Sequence, residues 1–104
     1  MNLTGKTLVV IGGAGLLGKQ FVKTLINADA NIVVADYNLE AADEVCNALV
    51  SQGVKSSTLM AASVNIVDKE SLQKLIEDSI NRFGCISGVV NTAYPRNANY
   101  GRKF

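Results

Sequence analysis

The chain has no histidine, no tryptophan, one proline and two cysteines in 104 residues. Without histidine, and with Cys46 and Cys85 standing far apart, neither a zinc-type ligand spacing nor a disulfide framework is present. No metal site is expected, and both thiols are read as buried structural side chains.

An excess of one charge is lacking too. Ten Lys and Arg face nine Asp and Glu for a formal net charge of +1, and the longest basic run is Arg102-Lys103. That excludes the electrostatic footprint of a nucleic-acid binder or of an anionic-membrane binder. Apolar runs are short and broken by Gly, Asn or Asp, far below the roughly 20 residues that span a bilayer. The opening Met1-Asn2-Leu3-Thr4-Gly5-Lys6 lacks the order of a signal peptide, so the expected location is cytoplasmic.

What is present is the balance of one folded α/β domain: 48% hydrophobic and 18% charged residues over a length that suits a single core. Thr7 to Ile11 is a continuous β-favouring run of the kind buried on both faces in parallel sheets. Leu16, Leu17, Phe21, Val22, Leu25 and Ile26 then recur at helical spacing, ending near Asn27. Asn31 to Asp36 reads as a second buried strand, and Asn38 caps a helix carrying Leu39, Ala42, Cys46 and Leu49, closed by Gly53. A third strand is expected over Ser57 to Ser63, weakened by Ala61 and Ala62. Asp68 caps a helix with Leu72, Leu75, Ile76, Ile80 and Phe83, closed by Gly84, and a fourth strand runs from Ile86 to Asn91.

This alternation predicts a Rossmann-type, doubly wound parallel sheet in strand order 3-2-1-4 with helices on both faces, truncated after the fourth strand. The whole chain 1–104 is then a partial NAD-binding domain, with 93–104 as a loop or tail.

Between the first strand and the first helix lies Gly12-Gly13-Ala14-Gly15-Leu16-Leu17-Gly18, which contains Gly-x-Gly-x-x-Gly at 13, 15 and 18. Glycine is needed there because side chains would keep a diphosphate from the main-chain amides and from the positive end of the helix. A tight turn without a ligand is the competing interpretation. Asp36 weighs against it: it ends the second strand 18 residues after Gly18, where a carboxylate accepts hydrogen bonds from ribose hydroxyls. Tyr37, next in the chain, is counted with it as cofactor-binding. A carboxylate about 4 Å from a 2′-phosphate is repelled by roughly 1–4 kcal/mol per unit charge, and no Lys or Arg stands at 13–18 or 37–39. The expected cofactor is NAD rather than NADP.

With these residues in view, the chain resembles the short-chain dehydrogenase/reductase family over its whole length. The likeness is carried by Thr4-Gly5-Lys6, the glycine turn, Asp36, Arg82-Phe83-Gly84-Cys85-Ile86 and Val89-Val90-Asn91-Thr92-Ala93. It implies that Gly12, Ala14, Gly15, Leu16, Leu17 and Gly18 surround the diphosphate, that Asn65 and Ile66 flank adenine, and that Asn91 and Ala93 line the cofactor cleft. Three departures stand out. The glycines at 12, 15 and 18 fit the spacing of extended members, many acting on nucleotide sugars, although the later passages look like classical members. Asn65 stands where the family usually has Asp, and Tyr94 replaces the glycine of Asn-Asn-Ala-Gly. The run Ala93-Tyr94-Pro95-Arg96-Asn97, with Tyr100-Gly101-Arg102-Lys103-Phe104, is similar to a subgroup of flagellin-modification oxidoreductases.

In that family a Tyr-x-x-x-Lys pair and a Ser carry hydride transfer, and the resemblance places all three beyond residue 104. Tyr100 and Lys103 are one residue too close to serve, so no catalytic residue is assigned within this chain. The resemblance therefore implies the cofactor-binding half of an NAD-dependent enzyme that oxidises an alcohol or reduces a carbonyl. Its small-molecule substrate is held by the missing half, and the protein is expected to be a homo-oligomer. The rival interpretations are a non-catalytic nucleotide-binding or interaction module and a fragment of an extended-type nucleotide-sugar enzyme.

Overall fold

Val and Ile fill the first two strands because both of their faces are covered. A computed structural model describes residues 2–93. In it β1 (Thr7–Ile11) and β2 (Asn31–Asp36) lie side by side at the centre of a four-stranded parallel sheet, order β3-β2-β1-β4. β3 is Leu59–Ser63 and β4 is Gly88–Asn91. Val9 pairs in register with Val33 on one side and Val89 on the other.

The helices are α1 (Leu16–Asn27), α2 (Leu39–Ser51) and α3 (Lys69–Phe83). Alternation along the strands splits the core in two. Val10, Ile32, Val34 and Leu59 meet Val22 of α1 and Ala42 and Leu49 of α2, while Val9, Ile11, Val33 and Ala35 meet Leu75 of α3. The reversal of winding between β3 and β4 places α3 on the opposite face. It also opens a crevice at the carboxyl ends of β1 and β4, the position at which such sheets take ligands.

Four expectations need correction. The third strand begins at Leu59, because Ser56–Thr58 turn as a short 3-10 helix in which the Thr58 N–H donates to the Lys55 carbonyl. The fourth begins at Gly88, since Ile86 turns onto the α3 side of the core before pairing starts. Cys85 is exposed, lying in the turn after α3; Cys46 is half-buried on α2, and burial, helped by Asp43, pushes its thiol pKa up to about 11. Leu16, Leu17 and Phe21 face outward, because α1 seats itself on the sheet through Gly18 and Val22 instead. The tail residues 94–104, with Tyr94, Tyr100, Lys103 and most of the run similar to the flagellin-modification subgroup, lie outside the described residues.

Candidate cofactor site

The glycine turn leaves β1 at Gly12, whose φ of +81° is a left-handed conformation that favours glycine. Its N–H and that of Gly13 both donate to the Ala35 carbonyl, at 2.8 and 3.1 Å, which binds the turn to β2. The chain then doubles back as the Gly15 N–H donates to the Gly12 carbonyl at 2.9 Å.

Space explains the other glycines. A Cβ on Gly13 would stand 2.8 Å from a Val34 methyl, and one on Gly18 would overlap the Gly12 carbonyl oxygen. These two are demanded by packing of α1 against β1 and β2. Gly15 differs: its nearest protein atom beyond its neighbours would be the Gly12 oxygen at 3.2 Å, and its φ of −77° is open to any residue. The protein's demand on that glycine is milder: a Cβ would fit tightly, with the Gly12 carbonyl giving way by a few tenths of an ångström.

Gly15 is also the N-cap of α1, so no side chain caps this helix, and its first turn holds no acidic residue. Among the described residues the N–H groups of Leu16, Leu17 and Gly18 find no acceptor. Three donors at the positive end of a helix, beside a glycine without a side chain, form an arrangement suited to an anion.

Asp36 reaches the same place from β2. Its Oδ2 accepts from the Ala14 N–H and its Oδ1 from the Asn38 N–H, each at 3.1 Å. A carboxylate has about four acceptor positions, so lone pairs remain for a sugar diol. Tyr37 is 78% exposed beside it, a free aromatic face at the rim. On the other flank Val64 donates its N–H to the Asp36 carbonyl at 2.9 Å, bringing Asn65 and Ile66 next to Asp36.

At the far side, Asn91 pairs with Ile11, and its Oδ1 accepts from the Ala93 N–H at 3.0 Å. Sequence reasoning missed Thr92. Its N–H donates to the Ile11 carbonyl at 2.8 Å, its hydroxyl lies 2.9 Å from that carbonyl oxygen and 3.2 Å from that of Gly12, and the hydroxyl oxygen stands 2.6 Å from where a Gly12 Cβ would be. Its only signal was the step between Asn91 and Ala93. Ser71 was missed as well; its hydroxyl accepts from the Asn65 N–H at 2.9 Å, a contact six residues back along the chain that no motif announces.

The described residues hold no cluster of three or more metal-ligating side chains, and no helix among them is long and apolar enough to cross a membrane. Comparison with known proteins gives the arrangement its family. A short chain dehydrogenase/reductase of Colletotrichum higginsianum is 35% identical over 92 residues, covering 88% of this chain and 33% of that protein. The 2,5-dichloro-2,5-cyclohexadiene-1,4-diol dehydrogenase of Sphingobium indicum is 32% identical over 92 residues, 88% of this chain and 34% of its own length. Among solved structures, a candidate D-mannonate oxidoreductase from Haemophilus influenza with bound NAD superposes with a TM-score of 0.81 at 28% identity, covering 94% of this chain and 34% of that one. The chain thus spans about a third of the length of these relatives. The matches do not carry the narrower flagellin-modification subgroup. Residues 6–98 match the family model described as short chain dehydrogenase, and the chain belongs to that family as its N-terminal, cofactor-binding portion.

Proposed function

We propose that this chain binds NAD for an enzyme that oxidises an alcohol or reduces a carbonyl. The observation that carries the proposal is the meeting of the Asp36 carboxylate with the glycine turn, 3.1 Å from the Ala14 N–H, beside three unpartnered amides at the start of α1. The donor set fits the molecule. Leu16, Leu17 and Gly18 would hold the diphosphate, Gly15 lets it approach the backbone, and Asp36 would accept from the ribose hydroxyls. Asn65, Ile66 and Tyr37 surround the position left for the base, and Asn91 and Ala93 edge the cleft toward the reacting end.

When bound, NAD supplies a nicotinamide ring that takes or returns a hydride. The chain's own residues bind and orient; the groups that move the proton belong to the remaining part of the enzyme. That remainder also selects the small-molecule substrate and joins the subunits of a homo-oligomer.

The preference for NAD follows from Asp36, whose charge opposes a 2′-phosphate by roughly 1–4 kcal/mol. Calorimetric titration with NAD and NADP tests this. NAD is expected to bind at least about tenfold tighter, and Asp36→Ala is expected to weaken NAD by about ten- to a hundredfold, the range for a lost charge-assisted hydrogen bond, and to remove the preference. Tighter binding of NADP by the unmodified chain refutes the proposal.

A further inference from the structure

The glycine turn closes on the Gly12 carbonyl, and three groups meet there. The Gly15 N–H donates to its oxygen at 2.9 Å, and Gly18 packs so near that a Cβ would overlap it. The third is the Thr92 hydroxyl, 3.2 Å away, which also stands 2.9 Å from the Ile11 carbonyl oxygen. Neither oxygen depends on that hydroxyl for a partner: Ile11 accepts from the Thr92 N–H at 2.8 Å, and Gly12 from Gly15. Its loss would leave no carbonyl unsatisfied, which is where the large penalty of a broken hydrogen bond lies. What it supplies is position. A hydroxyl oxygen fits against both carbonyls, whereas a methyl carbon keeps roughly 3.5 Å from its neighbours. β2 secures the N–H groups of the turn through the Ala35 carbonyl and Asp36, while Thr92 is the one side chain among the described residues that donates to the Gly12 carbonyl.

We propose that Thr92 is a positioning residue for the diphosphate, setting through the Gly12 carbonyl where the first turn of α1 stands. The inference rests on the NAD reading above. Gly15 and Gly18, which touch that carbonyl, belong to the same turn of backbone as the open amides of Leu16, Leu17 and Gly18. A methyl in place of the hydroxyl pushes against the Gly12 oxygen, and the close fit at Gly18 passes the displacement on to α1. Asp36 keeps its place, because its carboxylate is held by the Ala14 and Asn38 N–H groups. The loss therefore falls on the contacts of α1 with phosphate, although Thr92 itself touches none of the ligand.

The test is calorimetric titration of the full chain with NAD, beside thermal denaturation, for Thr92→Val and Thr92→Ser. Val keeps the shape of Thr and exchanges the hydroxyl for a methyl. It is expected to weaken NAD about tenfold or more, the equivalent of one lost amide–phosphate hydrogen bond, with Tm lowered by no more than about 8 °C. Ser keeps the hydroxyl and loses the methyl, and is expected to bind NAD within about threefold of the unmodified chain, even where its Tm falls as far as that of Val. Full NAD affinity in folded Thr92→Val overturns the positioning role and leaves the NAD reading intact, as does an affinity that follows Tm instead of the hydroxyl. Should Thr92→Val not fold, Thr92→Ala takes its place: it is expected to weaken NAD at least about threefold, and full affinity overturns the role. Failure of the unmodified chain to bind NAD overturns the NAD reading itself, and the role of Thr92 with it.

Discussion

The three α-helices among the described residues all start at the carboxyl end of the sheet, and they start in two different ways. At α2 the Asn38 side chain accepts from the Ala41 N–H and Glu40 lies in the first turn; at α3 Asp68 accepts from the Glu70 N–H and Glu70 lies in the first turn. At α1 the cap is Gly15, without a side chain, and the first turn is without an acid. Relative to a helix with a capping side chain, α1 forgoes about a few tenths of a kcal/mol of local stability, since glycine is itself a fair cap. The difference marks where the fold satisfies itself and where it leaves donors open: under the proposed function, a bound diphosphate would do from outside what Asn38 and Asp68 do from within.

The contrast is broken most severely at Gly18. A Cβ there overlaps the Gly12 carbonyl oxygen, so Gly18→Ala must push α1 away from the turn. Urea unfolding is expected to show a loss of about 1–3 kcal/mol, with NAD binding lost in calorimetry. Stability lost while affinity stays constant would mean that the turn does not hold the ligand.

Gly15→Asp erases the contrast directly by giving α1 the cap its neighbours have. Stability is expected to hold or rise by up to about 1 kcal/mol, while NAD binding falls at least about tenfold, because the new carboxylate stands where the diphosphate goes. Undiminished affinity would place the diphosphate elsewhere. The smallest effect is expected from Asp68→Ala, which uncaps α3. Thermal denaturation should register about 1 kcal/mol, and NAD affinity should stay within about twofold. A large loss of affinity would show that α3 serves the site after all.

The sequence made some of this legible and hid the rest for physical reasons. β1 and β2 could be bounded from their Val and Ile runs, because burial on both faces leaves no polar interruption. Asn38, Asp68 and Gly84 marked helix ends because each supplies a group or a conformation that the helix terminus lacks: Gly84 has φ +86°. β3 was less clear, since Ala61 and Ala62 carry little β preference and Ser56–Thr58 form a turn that the pattern does not announce. The outward facing of Leu16, Leu17 and Phe21 was hidden because apolar spacing marks a face without saying what covers it.

At the site, Gly12, Gly13, Gly15 and Gly18 were visible as one motif, yet only atomic spacing separates those that packing demands from Gly15, where a Cβ meets a tight contact and no overlap. That Asp36 stands near the turn could be inferred from position. That its carboxylate also accepts from the Ala14 amide could not, because the contact depends on how β2 and the turn meet in space.

Thr92 holds up the glycine turn from a distance of 80 residues along the chain, its hydroxyl set against the Gly12 carbonyl. During synthesis the glycine turn emerges 80 residues ahead of its prop. A growing polypeptide therefore carries the glycine motif well before it carries the hydroxyl that braces it.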